Sequence, residues 1–209
     1  MSSLPSAARR KPPEERRAEI IEAAASIALA DGLDRVTARR VAEALGVFPG
    51  LINHYFRSAD DLVAAAFAYA AASEHEQVFT YAEAAATRPE QIARLLQEWL
   101  SSDHDAMSLL WLDAWQASRL RPTLRNAVTE QMNVDLTRLE ALIHAGIDER
   151  QLQVGDVAAA ALQIMALVDA TSIQAAVRAT FDYTPVFRMA IDTAATILGL
   201  PPGALRHRP

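Results

Sequence analysis

Four polar side chains, Arg39, Asn53, His54 and Arg57, are spaced so that they leave the sides of two short helical segments that a core would not use. Guanidinium groups suit phosphate oxygens, and a carboxamide such as that of Asn53 can bond a base edge. Around these residues the stretch Thr37 to Phe56 reads TARRVAEALGVFPGLINHYF. Two short helices that nest closely need a small residue where they touch, a turn residue that tolerates positive φ, and a branched aliphatic facing back. Ala42, Gly46 and Ile52 supply these, and Val41, Leu45, Val47 and Tyr55 fill the remaining inward positions. The pattern is that of a helix-turn-helix rather than of two bundle helices with a glycine between them by chance.

Catalytic chemistry finds little to stand on. The five histidines are His54, His75, His104, His144 and His207. Glu74-His75-Glu76 and Asp103-His104-Asp105 bring metal-ligand types together, but neighbours on a helix point in different directions, so both read as solvated polar faces. HxxxH and HxxE spacings, a GxxxxGK[ST] loop and a GxSxG elbow are all missing. With no cysteine, disulfides, thiolate zinc sites and a thiol nucleophile are excluded together, which suits a reducing cytoplasm. The expectation is a non-enzyme with no catalytic residue, metal or cofactor.

A second constellation could bind a small molecule. Met107, Trp111, Trp115 and Ser118 share one helical face, Trp99 lies within reach, and Gln163 and Asp169 are polar groups in an apolar helix. Such a set is either plain core or the lining of a ligand cavity. In the second case, indole faces with Asp169 would suit an organic cation.

The elements that must position these groups are helical. Alanine and leucine dominate the 209 residues, glycine is scarce, and strand-like alternation is absent. Residues 1–13 read as a flexible basic arm holding Arg9, Arg10 and Lys11. Helices are expected from Glu14 to Asp31, Ala38 to Ala44 with Thr37 as cap, and Pro49 to Tyr55. Ser58 opens a fourth toward Tyr81. Pro89 to Leu100, Ala106 to Leu120, Pro122 to a stop at Gly146, Asp156 to about Thr180, and a last one from Thr184 bring the number to about nine. Val157 to Val168 is apolar except for Gln163, too short for a membrane span, so a buried helix without membrane contact is expected.

The net charge of −6 is unevenly placed. Residues 1–60 hold nine Lys/Arg against eight Asp/Glu, whereas 61–209 hold eleven against eighteen. Screening lets a local basic surface meet phosphates despite distant acidity.

Residues 14–62 resemble the DNA-binding domain of TetR-type repressors, through T-x-R-x-V-A-x-x-x-G-V-x-P-G-x-I-x-H-Y-F and the following D-D-L. The H-Y-F ending, with R-P-T-L-R, R-L-E-A-L-I-x-A-G-I and A-L-V-D further on, is similar to the BetI-like branch, whose members include a choline-responsive repressor. The resemblance implies that Thr37 and Tyr55 contact phosphates and that Pro49, Gly50, Leu51, Asn53 and His54 face the groove. Two positions depart from the family pattern. Phe48 stands where a small hydroxyl residue usually caps the recognition helix, and Ala59 stands where a lysine commonly binds phosphate.

The expected molecule is therefore all-α, with an N-terminal three-helix DNA-binding domain over residues 14–60. A larger helical regulatory and dimerisation domain follows over 61–209. Its expected partners are a double-stranded DNA operator, a second copy of itself through the last two helices, and an unidentified small-molecule effector that releases the operator. The alternative is a ligand-independent DNA-binding or scaffold protein of the same fold that docks a protein partner.

Overall fold

The computed structural model describes residues 12–177 and 181–206. The expected arm up to Lys11, the helix end expected near Thr180, and His207 lie outside them. Nine α-helices form among the described residues: α1 (Pro13–Asp31), α2 (Ala38–Leu45), α3 (Pro49–Tyr55), α4 (Ala59–Glu83), α5 (Arg88–Trp99), α6 (Asp105–Ser118), α7 (Pro122–Asp148), α8 (Val157–Val177) and α9 (Thr184–Ile197). Short 3-10 turns at Leu33–Arg35 and Ser102–His104 complete the set.

Local chemistry accounts for most of these limits. Proline occupies the first turn of α1, α3, α5, α7 and α9, where its missing N–H costs nothing. Ser58 and Thr87 head α4 and α5 in reciprocal capping boxes with Asp61 and Glu90. Gly46 closes α2 at φ 64°, the left-handed region that a side chain resists.

Gly146 does something other than stop a helix. α7 runs through it to Asp148, and the left-handed residue that ends the turn is Arg150. A Cβ on Gly146 would come within 2.5 Å of the Leu152 side chain. The glycine is there because the returning chain lies against the helix, a packing requirement that sequence pattern cannot distinguish from a cap.

Two apolar clusters hold the molecule together. One gathers Ile20, Val41, Ile52, Phe67, Leu110 and Leu124 from α1–α4, α6 and α7. The other gathers Phe79, Leu96, Leu139, Ile143, Ile164 and Ala195 from α4, α5, α7, α8 and α9. Helix α4 contributes to both, so its displacement at one end is felt at the other.

Helix α8 is 21 residues long, more than the apolar run Val157–Val168 suggests. By length and mean hydropathy it could cross a bilayer, but a single helix of that kind is weak evidence for a span. It carries Asp169 and packs Ala161, Ile164 and Val168 into the second cluster. Its other side leaves Leu162 58 % exposed.

Candidate DNA-binding interface

Helices α2 and α3 nest as the steric argument requires. Ala42 and Ile52 are fully buried between them, and the Val47 N–H donates to the Ala42 carbonyl at 3.0 Å across the turn. With Ile52 committed inward, the opposite side of α3 has to face out. Pro49, Gly50, Asn53 and His54 are exposed there, Leu51 is half-buried, and Arg57 is exposed just beyond the helix. Tyr55 is half-buried against the first cluster, its ring edge-on to His54 at 5.4 Å between centroids.

The flanking groups are already engaged within the chain, though weakly. Thr37 Oγ1 accepts the Arg40 N–H at 3.2 Å as the cap of α2, which leaves the hydroxyl proton free to be donated. Arg39 Nε donates to Glu43 at 2.8 Å. That pair is exposed, and exposed pairs are loosely held, so a phosphate can draw Arg39 away. Arg40 pairs with Asp31 at 2.5 Å, and the Arg17 guanidinium lies over the Phe56 ring at 5.2 Å. No side chain caps α3, because Phe48 occupies the position and has no acceptor to offer.

Glycine at position 50 has no internal cause. A Cβ built on it meets nothing within 4 Å, and its backbone is helical rather than left-handed. What an absent side chain permits here is the approach of something outside the chain.

Residues 20–66 match the profile of bacterial regulatory proteins of the tetR family. This segment is a TetR-type DNA-binding domain. The matched profile is that of a family of bacterial regulatory proteins. No curated protein sequence matches the chain. Solved structures of the same fold include a TetR-family regulator from Rhodococcus sp., with TM-score 0.74 and 18% identity, covering 88% of this chain and 99% of that one. Another is E. coli NemR in its reduced form, with TM-score 0.74 and 18% identity, covering 88% and 98%. A third is a transcriptional regulator from Saccharomonospora viridis in complex with choline, with TM-score 0.71 and 20% identity, covering 85% and 94%. At these identities the likeness is one of fold, and it extends beyond the TetR-type domain to the whole helical body.

In that body, Trp99, Met107, Trp111 and Asp169 line one small cavity of about 40 Å³ between α4, α5, α6 and α8. Two expected lining residues are elsewhere. Gln163 is exposed, since the buried stripe of α8 runs through Ala161, Ile164 and Val168 instead. Trp115 lies one turn too far along α6 and packs on the first cluster, 6.0 Å from the Trp111 ring. A far larger cleft, about 1060 Å³, is open and lies between the start of α5 and residues 201–206.

The expectation that the two histidine-centred triplets are solvated faces is corrected. Glu74 and His104 both line the cavity, with His104 Nε2 against Glu74 Oε1 at 3.2 Å. His75 is 2 % exposed and in direct contact with Asp135 of α7. Glu76 and Asp103 are exposed, and Asp105 is half-buried. The helix periodicity of α4 could have placed His75 inward, in line with Ala71, Val78 and Phe79.

Burial sets the protonation of this cluster. Desolvation, aided by the charges of Glu74 and Asp169, pushes Asp135 up to about 8, so it is protonated at neutral pH. Desolvation also pushes His75 down, leaving it neutral beside a protonated Asp135. The bond to Glu74 raises His104. Burial alone lifts Asp169 to about 6, so it is ionised at neutral pH and loses its charge in mild acid. Among the described residues no group of three or more His, Asp or Glu side chains is placed to hold a metal ion.

Proposed function

We propose that this protein is a homodimeric transcriptional repressor that leaves its operator when a compact organic cation binds between α4, α6 and α8. The single observation that carries the DNA half is the exposed Asn53–His54 side of α3, fixed outward by the buried Ile52. Thr37, Arg39, Tyr55 and Arg57 would hold phosphates, and Pro49, Gly50, Leu51, Asn53 and His54 would enter the major groove. One α3 reads only a few base pairs, so a two-fold pair reading two half-sites is the ordinary solution. The apolar faces of α8 and α9, with Leu162 and Met189 more than half exposed, are the surfaces a second copy would cover.

The ligand half rests on chemistry at the cavity. Two indoles, the ionised Asp169 and Glu74 together favour a positive charge with apolar substituents. The choline held by the Saccharomonospora viridis protein is a molecule of that type. The cavity is much smaller than such a ligand, so binding has to part the helices around it. Helix α6 lies beside the cavity at Met107 and Trp111, and its Asp113 Oδ2 accepts the Leu33 N–H at 3.2 Å in the turn after α1. Parting the helices would therefore pull on the DNA-binding unit. Binding inhibits by favouring a dimer whose two α3 helices no longer match the half-site spacing.

A tryptophan-fluorescence titration with choline and with its uncharged carbon isostere tests the ligand. The cation should bind and the isostere should not. Asp169 has its raised value near 6, so its attraction is complete above that pH and lost below it. Affinity should fall roughly tenfold between neutrality and about pH 5. Equal binding of the isostere, or tighter cation binding in acid, rejects the cation.

A further inference from the structure

The structure leaves one large aromatic side chain standing in solvent at the leading end of α3. Phe48 is 88 % exposed, and it gives up the cap bond that a hydroxyl or carboxylate would make at this position. Its backbone is extended, and its carbonyl accepts the Leu51 N–H at 2.9 Å, so the ring is carried by a fixed backbone. The next two residues are Pro49, a compact ring, and Gly50, which has no side chain; both are exposed. On this shelf Phe48 is the group that projects, at the leading end of the helix that carries the exposed Asn53 and His54.

We infer that Phe48 is a specificity residue, seating its ring on the 5-methyl group of a thymine in each half-site. The inference rests on the DNA-binding reading of α3. Base edges in the major groove offer hydrogen-bond donors and acceptors throughout, and the thymine methyl is their one apolar feature. A phenyl ring has no hydrogen bond to give or take, so it discriminates there through that methyl. Asn53 and His54 supply the polar half of the readout, and Phe48 the apolar half.

The test begins with duplexes recovered by the full-length protein from a random pool. A thymine should recur at one fixed offset in both half-sites. Replacing it by deoxyuridine removes the methyl alone and should weaken the wild-type protein about fourfold, the value of one buried methyl-sized group. Phe48→Ala should bind the thymine and uracil duplexes equally, and Phe48→Leu should keep part of the difference. The Phe48 ring is mostly in solvent, so the variants should melt like the wild type.

Persistence of the methyl effect in Phe48→Ala overturns the assignment, as does a wild type indifferent to uracil at every position. Loss of affinity in Phe48→Ala that is equal for all duplexes makes the ring a backbone contact and overturns it too. A protein that retains no duplex from the pool at any salt concentration refutes the DNA-binding reading itself. Those results are distinguishable from a failure of the methyl contact alone.

Discussion

Gly50 is a residue at which stability and binding should part company. In a helix glycine is less favourable than alanine by about 1 kcal/mol, and nothing among the described residues obstructs a methyl at this position. Gly50→Ala should therefore raise or preserve the melting temperature while weakening operator binding, measured by fluorescence anisotropy. A variant that is both more stable and equally tight would remove Gly50 from the interface. At this scale the sequence was informative wherever sterics dictate residue type. Ala42, Gly46 and Ile52 could be assigned because each position admits few alternatives. It was less informative where burial decides, as with His75, whose polarity in isolation suggests water and whose helical register places it against Asp135.

Among the elements, α6 adds to α4 a hydrogen-bonded link between the cavity and the DNA-binding end. Its Asp113 accepts the Leu33 N–H, and the neighbouring Arg121 lies 3.6 Å from both Asp34 and Asp60. Asp113→Ala should remove the bond to the turn after α1 while leaving the cavity side chains in place. The expected phenotype is a protein that binds effector and operator separately but needs more effector for release. Unchanged release at every effector concentration would show that α4 alone carries the coupling. Helix existence was legible from proline, glycine and capping residues. Contacts such as Asp113 to Leu33, 80 positions apart, leave no local trace, and neither did the two 3-10 turns. Trp115 was misplaced because the cavity wall is shorter than the α6 stripe it shares. Gln163 was misplaced because an apolar run does not show which way its one polar member points.

For the whole molecule, composition made an all-helical body legible, and the charge asymmetry allowed one end to meet DNA. The absence of a clear polar side on α8 pointed to a partner surface beyond its own core, but an apolar run alone leaves a wholly buried core helix as the other reading. The exposed Leu162 and Met189 favour the partner surface. If a second copy covers these surfaces, folding and assembly are one equilibrium, and the midpoint of thermal unfolding should climb as protein concentration is raised. A midpoint independent of concentration would count against this pairing surface.

The same half-covered α8 also bears on how few molecules are needed for control. On the proposed pairing, a gene regulator present in small numbers would have to find its twin before it was either robust or competent to grip a palindrome. Scarcity would then silence the switch without any effector, through lone subunits that unfold or stick to other apolar surfaces.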